Sequence, residues 1–180
     1  NRVPEEALPF PWESCIIAGG GWSWVPDARY MTGRQAIHML VDIVAKGGNL
    51  LFNIAPGPDG TWHEGAYTLL KEMGEWMHVN GEAIYGTRAI APYKENNVCF
   101  TSKDKVLYAF YLPGEEETAL PETIELTSLA PDKGARITLL GGEGKISWKE
   151  TQEGWSLKVP AKVSNSTAGR VAWVFKIEQP

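Results

Sequence analysis

The hydrophobic period changes once along this chain, and that change limits the fold more than any other feature. Up to about residue 88, apolar residues recur at helical spacing between short apolar runs; beyond it they alternate at period two between turns. Thr32 with Gln35 three residues on reads as a capping box, and Ile37, Leu40, Val41 and Val44 continue one helix face up to Gly47-Gly48. Asn49 to Ile54 is a short, nearly all-apolar run suited to a parallel strand covered on both faces. Pro56-Gly57-Pro58-Asp59-Gly60 is a turn, and a second helix is expected from about Glu64 with Leu69, Leu70, Met73, Trp76 and Met77 inward. With a strand around Trp12, the order is strand, helix, strand, helix, the unit of an α/β fold. Units this few cannot close a barrel or cover both faces of a sheet. Residues 1–88 are therefore expected to be the C-terminal part of a larger α/β domain.

Residues 89–180 read differently. Short β-rich runs are expected at 97–102, 105–112, 122–126, 135–140, 145–150, 155–159 and 170–177, with Val106, Tyr108, Phe110 and Leu112 at strand alternation. Turns such as Pro113-Gly114 and Gly141-Gly142-Glu143-Gly144 separate them. Short strands at this density predict an antiparallel β-sandwich.

Composition narrows the function. The formal net charge of -5 excludes a nucleic-acid partner, whose phosphates demand a basic surface. No apolar run reaches the roughly 18 residues of a membrane-span candidate. Cys15 and Cys99 lie far apart with no histidine at ligand spacing, which makes no zinc site and leaves a disulfide open. Asn165-Ser166-Thr167 fits a glycosylation sequon, of consequence only in a eukaryotic secretory pathway. The eight tryptophans suit either sugar stacking, since a pyranose face packs on an indole, or the core of a large β domain.

The chemistry-bearing stretch is PWESCIIAGGGWSWVPDARY. Glu13 follows Trp12 directly, and Trp22 and Trp24 follow the glycine run Gly19-Gly20-Gly21. A carboxylate set against an indole loses solvation in its charged form, the condition that a general acid near neutral pH needs. A carboxylate paired with Arg or Lys at a strand end is the alternative. The glycine run matches neither phosphate-binding spacing and reads as a closely approached loop, with Trp22 and Trp24 either lining a pocket or packing beneath the loop. His38 reads as a packing or hydrogen-bonding histidine, His63 opens a helix and His78 ends one. None stands in a nucleophilic triad.

PWESC with its Trp-rich loop, MLVDIVAKGGNLLFNIAPGPDG and GEWMHVNGEAIYGT together resemble the C-terminal stretch of glycoside hydrolase family 29, the retaining α-L-fucosidases. The resemblance implies the C-terminal portion of a (β/α)8-like barrel over 1–88, then the β-sandwich over 89–180. It implies hydrolysis of terminal α-L-fucose from fucosylated oligosaccharides or glycoconjugates, with Glu13 as general acid/base, Trp12, Trp22 and Trp24 about the sugar, and Arg2 as a further sugar contact. Many members read Trp-Gly-Tyr where this chain has Trp22-Ser23-Trp24, a change that bears on the aglycone accepted. Asn49, Asn53, Asn80, Glu82 and Tyr85 fall on family motifs as scaffold residues. The nucleophilic aspartate and most fucose ligands belong to the N-terminal remainder of the barrel, so this chain alone is expected to be inactive. The resemblance implies no metal or organic cofactor and a periplasmic, secreted or lysosomal setting, and leaves a homo-oligomer open. Rival readings are a carbohydrate-binding protein, marked by an exposed aromatic platform on the sandwich and a salt-bridged Glu13, and a barrel glycosidase of another sugar specificity.

Overall fold

The computed structural model describes residues 2–160 and 171–180, so the sequon at Asn165 lies outside the described residues. The α/β part holds two parallel strands, β1 (Trp12–Ile17) and β2 (Gly48–Asn53), paired from Trp12↔Gly48 to Ile17↔Asn53. Helix α1 (Gly33–Ala45) connects them and α2 (Glu64–Asn80) follows β2. The capping box forms as expected: Gln35 N–H donates to Thr32 Oγ1 at 3.2 Å, and Thr32 N–H donates to Gln35 Oε1 at 2.9 Å. Gly47, at φ 82°, supplies the left-handed residue that ends α1. Gly33 N–H donates to Glu72 Oε2 of α2 at 2.9 Å, placing a carboxylate at the start of α1.

The antiparallel part has β3 (Arg88–Glu95), β4 (Val98–Lys103), β5 (Val106–Tyr111), β6 (Thr123–Leu126), β7 (Arg136–Leu139), β8 (Lys145–Glu150), β9 (Trp155–Lys158) and β10 (Trp173–Glu178). The expectation of two stacked sheets is corrected here. The strands form one sheet in the order β3-β4-β5-β10-β7-β8-β9-β6, curled over its own core. Strand β8 makes the continuity: Lys145 and Ile146 pair with β7, while Ser147–Glu150 pair with β9. The first of these strands, β3, is absent from the sequence-based expectation.

Two apolar layers explain the composition of the strands. On one face of β5 and β10, Leu107, Ala109, Trp173, Phe175 and Ile177 join Trp155, Leu157 and Phe100 in the core inside the curl. On the other face, Cys99, Tyr108, Phe110 and Val174 meet Ile37, Val41 and Trp76 of the two helices. Strands β4, β5 and β10 are therefore covered on both faces and read as apolar runs, whereas β6 and β7 alternate. Polar ties lock the layers: Trp76 Nε1 donates to Ala172 O at 2.9 Å, His38 Nε2 to Val171 O at 2.7 Å, and Thr101 Oγ1 to Ala83 O at 2.9 Å. Burial pulls the His38 imidazole below its ordinary value, the backbone bond to Val171 opposing it. Glu82 accepts from Lys176 Nζ at 3.0 Å, joining the end of the helical layer to β10. Trp155 and Trp173 are core residues, and Trp148 packs edge-on against Trp155 with ring centroids 6.5 Å apart. Cys15 and Cys99 are both free, Cys99 fully buried.

The curl is clasped by Glu95. Its carboxylate accepts from Thr127 N (2.6 Å), Thr127 Oγ1 (2.9 Å), Ser128 N (3.1 Å) and Ser128 Oγ, which ties the end of β3 to the segment after β6. These are the two ends of the sheet order, so a side chain closes what backbone pairing leaves open. Burial pushes the carboxyl upward, but the Ser128 and Thr127 bonds together outweigh it and hold Glu95 below its ordinary value. Charge-assisted bonds at a half-exposed position make Glu95→Gln costly by about 1–3 kcal/mol, seen as a lower melting temperature. The sign follows from the depressed value: stabilisation is full above the unfolded carboxylate value, about 4.3, and is lost as pH falls through the folded value beneath it. The melting difference between wild type and Glu95→Gln is expected to shrink between pH 6 and pH 3; a constant gap would mean the charge contributes nothing.

Candidate functional site

Alternation along β1 sends successive side chains to opposite faces. Trp12, Ser14 and Ile16 face the helices: Trp12 Nε1 donates to Lys46 O at 3.3 Å, and its ring lies where a Cβ on Gly48 would come within 2.5 Å. Only glycine fits opposite that indole, which accounts for Gly48 at the start of β2. Glu13, Cys15 and Ile17 face the other way, beside Asn49, Leu51 and Asn53 of β2. This second face is open in this chain, with Leu51 50% exposed. Glu13 is exposed there, and its carboxylate makes no hydrogen bond or ion pair with the described residues.

The surround expected for Glu13 is corrected by this geometry. Trp12 points away from it. Trp22 and Trp24 lie on the loop after β1, whereas Glu13 is the second residue of that strand, four positions before Ile17. At about 3.3 Å per residue, Glu13 sits about 13 Å from the C-terminal end of β1. Arg2 lies on the helix side by its backbone, its carbonyl accepting from Ser14 Oγ at 2.9 Å. Trp22 and Trp24 thus share the loop after β1, whereas Trp12 and Glu13 stand near the start of that strand and Arg2 lies on its helix side.

The aromatic loop is fixed at both ends. Gly19 and Tyr30 form an antiparallel bridge, Met31 N–H donates to Ala18 O at 3.0 Å, and Asn53 Nδ2 at the end of β2 donates to Trp22 O at 3.3 Å. Asn53 is thus the scaffold residue its motif suggested, holding the loop to the strand. Trp24 stacks on His63, centroids 5.4 Å apart and planes 21° from parallel, and Tyr30 Oη lies 3.3 Å from His63 Nδ1. Trp22 and Trp24 remain 52% and 36% exposed. Sequence reasoning missed the rest of this rim. Trp62 and Tyr67, rings 5.5 Å apart, flank His63 at the loop after β2. The signal was available, since Trp62 follows a strand and a Pro-Gly turn just as Trp22 follows a strand and a glycine run. A separate hollow of about 730 Å³ lies at the edge of β2 and is lined by Phe10, Val44, Gly48 and Tyr85 among others. It is an apolar crevice away from the rim. Among the described residues no cluster of His, Cys, Asp and Glu could hold a metal ion, and no helix is long and apolar enough to cross a membrane.

Loops at the C-terminal ends of parallel strands are where α/β folds build their sites. Rings held rigid there, yet facing solvent, suit the apolar face of a sugar, on an α/β unit that carries an antiparallel β domain. Residues 1–82 match the family model described as alpha-L-fucosidase, and residues 92–178 match the alpha-L-fucosidase C-terminal domain. The chain belongs to the α-L-fucosidase family of glycosidases. It is 30% identical to the tissue alpha-L-fucosidase of Rattus norvegicus over 98% of this chain and 39% of that protein. Against the plasma alpha-L-fucosidase of Homo sapiens it is 38% identical over 61% of this chain and 25% of that protein. Its fold is similar to that of Thermotoga maritima alpha-fucosidase in complex with fucose, with a TM-score of 0.79 and 26% identity over 96% of this chain and 40% of that one. The chain therefore spans about two fifths of the length of the full-span relatives.

Proposed function

We propose that the full-length protein is a retaining exo-α-L-fucosidase, and that residues 1–88 are the C-terminal part of its (β/α)8-like catalytic barrel, with 89–180 the appended β domain. The observation that carries this reading is an asymmetry of exposure. Among the described residues, every exposed large hydrophobic side chain, from Leu8 to Tyr85, precedes residue 88. Among the described residues the antiparallel sheet has no exposed large aromatic, Tyr93 and Trp148 being half-buried, which disfavours the binding-module rival. The open face bearing Leu51, and strands that pair only with each other, call for further strands of the same barrel. That N-terminal remainder is the partner this surface needs.

In the mechanism, an aspartate of the remainder attacks the anomeric carbon of α-L-fucose through an oxocarbenium-like transition state while an acid protonates the departing oxygen. The same carboxyl then takes a proton from the water that hydrolyses the fucosyl-enzyme, the two carboxyl groups standing roughly 5–5.5 Å apart. The charged nucleophile helps to keep the acid protonated, and esterification removes that charge and frees the group to act as a base. Fucosylated glycans are the substrates, Trp22 and Trp24 form the apolar edge of the pocket, and the setting is extracytoplasmic, in keeping with the relatives named for tissue and plasma. This chain alone, lacking the nucleophile, is inactive.

The resemblance gives the acid/base role to Glu13, and its accessible, unpaired carboxylate on the open face supports that assignment. Its place near the N-terminal end of β1 favours a second reading, in which Glu13 belongs to the barrel floor and the acid lies elsewhere. Glu13→Ala in the full-length protein separates them. An acid/base role predicts a 10²–10⁴-fold fall in kcat, partly rescued by azide, which attacks the fucosyl-enzyme with a second inversion to give α-L-fucosyl azide. A fall in melting temperature without azide rescue assigns Glu13 to the floor.

A further inference from the structure

We infer that Trp62 and Tyr67 form a stacking platform for the leaving-group sugar, the residue to which fucose is attached. The inference rests on the fucosidase reading and adds a specificity element to the same site. Both rings are exposed, Trp62 at 36% and Tyr67 at 45%, and they lie 5.5 Å apart with planes tilted by 48°. Neither ring contributes to the buried clusters of the fold.

Exposed rings are ordinary on a protein surface, but these are pinned. Tyr67 is anchored on the first turns of α2, and its hydroxyl accepts from Trp62 N–H at 3.4 Å. On one side of Trp62, Asp59 Oδ1 accepts from Thr61 N (3.0 Å) and Thr61 Oγ1 (2.8 Å), which closes the turn. On the other side, His63 is held by Trp24 and by Tyr30. The backbone at Trp62 is thus fixed from both directions while its side chain stays partly exposed. Such an arrangement gains little for folding. It lowers the ordering cost when a flat apolar surface docks, which is what one face of a pyranose presents.

Location selects the occupant. The platform stands on the loop after β2, the same end of the parallel pair that carries Trp22 and Trp24 after β1, and the Trp24–His63 stack joins the two loops. The terminal sugar occupies the pocket mouth enclosed by the remainder of the barrel. A chain continuing outward from the scissile bond passes over the rim, where the exposed pair waits. The chemical class is therefore a neutral oligosaccharide, recognised by ring stacking.

The test compares two substrates of the full-length protein: α-L-fucosyl fluoride, whose leaving group is too small to reach the platform, and a fucosylated trisaccharide. In Trp62→Ala, kcat/KM for the trisaccharide is expected to fall about tenfold with the fluoride unchanged, and Trp62→Phe, which keeps a ring, is expected to recover most of the loss. Equal losses on both substrates, or no loss on either, would overturn the platform while leaving the fucosidase reading intact. So would a wild type that cleaves the fluoride but no fucosylated oligosaccharide. A wild type that cleaves neither defeats the fucosidase reading and the platform with it.

Discussion

Gly19→Ala is expected to lower kcat/KM of the full-length protein toward an aryl α-L-fucoside by on the order of 10²-fold, with a far smaller change in melting temperature. A Cβ at this position would lie 2.5 Å from Arg29 O and 2.7 Å from the Tyr30 Cα. Both are backbone atoms, so no rotamer change relieves the clash and the bridge between Gly19 and Tyr30 must open. That bridge closes the loop carrying Trp22 and Trp24, and Tyr30 in turn contacts the His63 on which Trp24 stacks. One methyl group therefore displaces the rim, reaching the core only where Tyr30 packs on the small cluster of Ala18, Ala36 and Leu69. Misplacement of a positioning group by about 1 Å suffices for losses of this size. Unchanged kcat/KM in a correctly folded Gly19→Ala variant would show that the aromatic loop takes no part in substrate binding.

Trp155→Ala is expected to cost about 3–5 kcal/mol of stability, a large part of the roughly 5–15 kcal/mol that holds a typical domain together. The side chain is fully buried at the centre of the curled sheet, with Leu157, Phe175 and Trp148 among its cluster. Its Nε1 donates to Ser128 O at 2.6 Å, so truncation leaves a cavity and also deprives a carbonyl of its donor. Ser128 is the residue that Glu95 grips, so the indole and the carboxylate hold one segment from two sides. Trp155→Phe should recover part of the packing but not the hydrogen bond. Denaturant unfolding followed by far-UV circular dichroism measures both variants. A loss below about 1 kcal/mol for the alanine variant would contradict the packing described for this core.

The local grammar of the helices was legible because each signal is short-range. Thr32, Gln35 and Gly47 fix the two ends of α1 from within their own turns, and the structure reproduces them. Strand β3 was hidden for an equally physical reason. Pro92 lies inside it, and proline demotes a strand unless that strand is an edge. Here β3 ends the sheet, and its register shifts between Ala89 and Lys94. The single curled sheet could not be read, because the change of partner halfway along β8 leaves the alternation of Lys145–Glu150 undisturbed.

The candidate site was legible in part. Trp22 and Trp24 emerged because a glycine run after a strand marks a loop that backbone approaches closely. The pairing of Trp12 with Glu13 was misread, although strand alternation already places neighbours on opposite faces. Adjacency in the chain stood in for adjacency in space. In the sequence His63 reads only as the opening of a helix and nothing singles out Trp62 or Tyr67; the stack of His63 on Trp24 is what joins the two loops into one rim.

The central claim is that this chain completes a retaining α-L-fucosidase. Proton NMR of the full-length protein acting on 4-nitrophenyl α-L-fucoside tests it most directly, by the anomer of fucose released before mutarotation. The account predicts α-L-fucose as the first product, the outcome of two successive inversions through a fucosyl-enzyme. First-formed β-L-fucose, or no release of fucose at all, would contradict it.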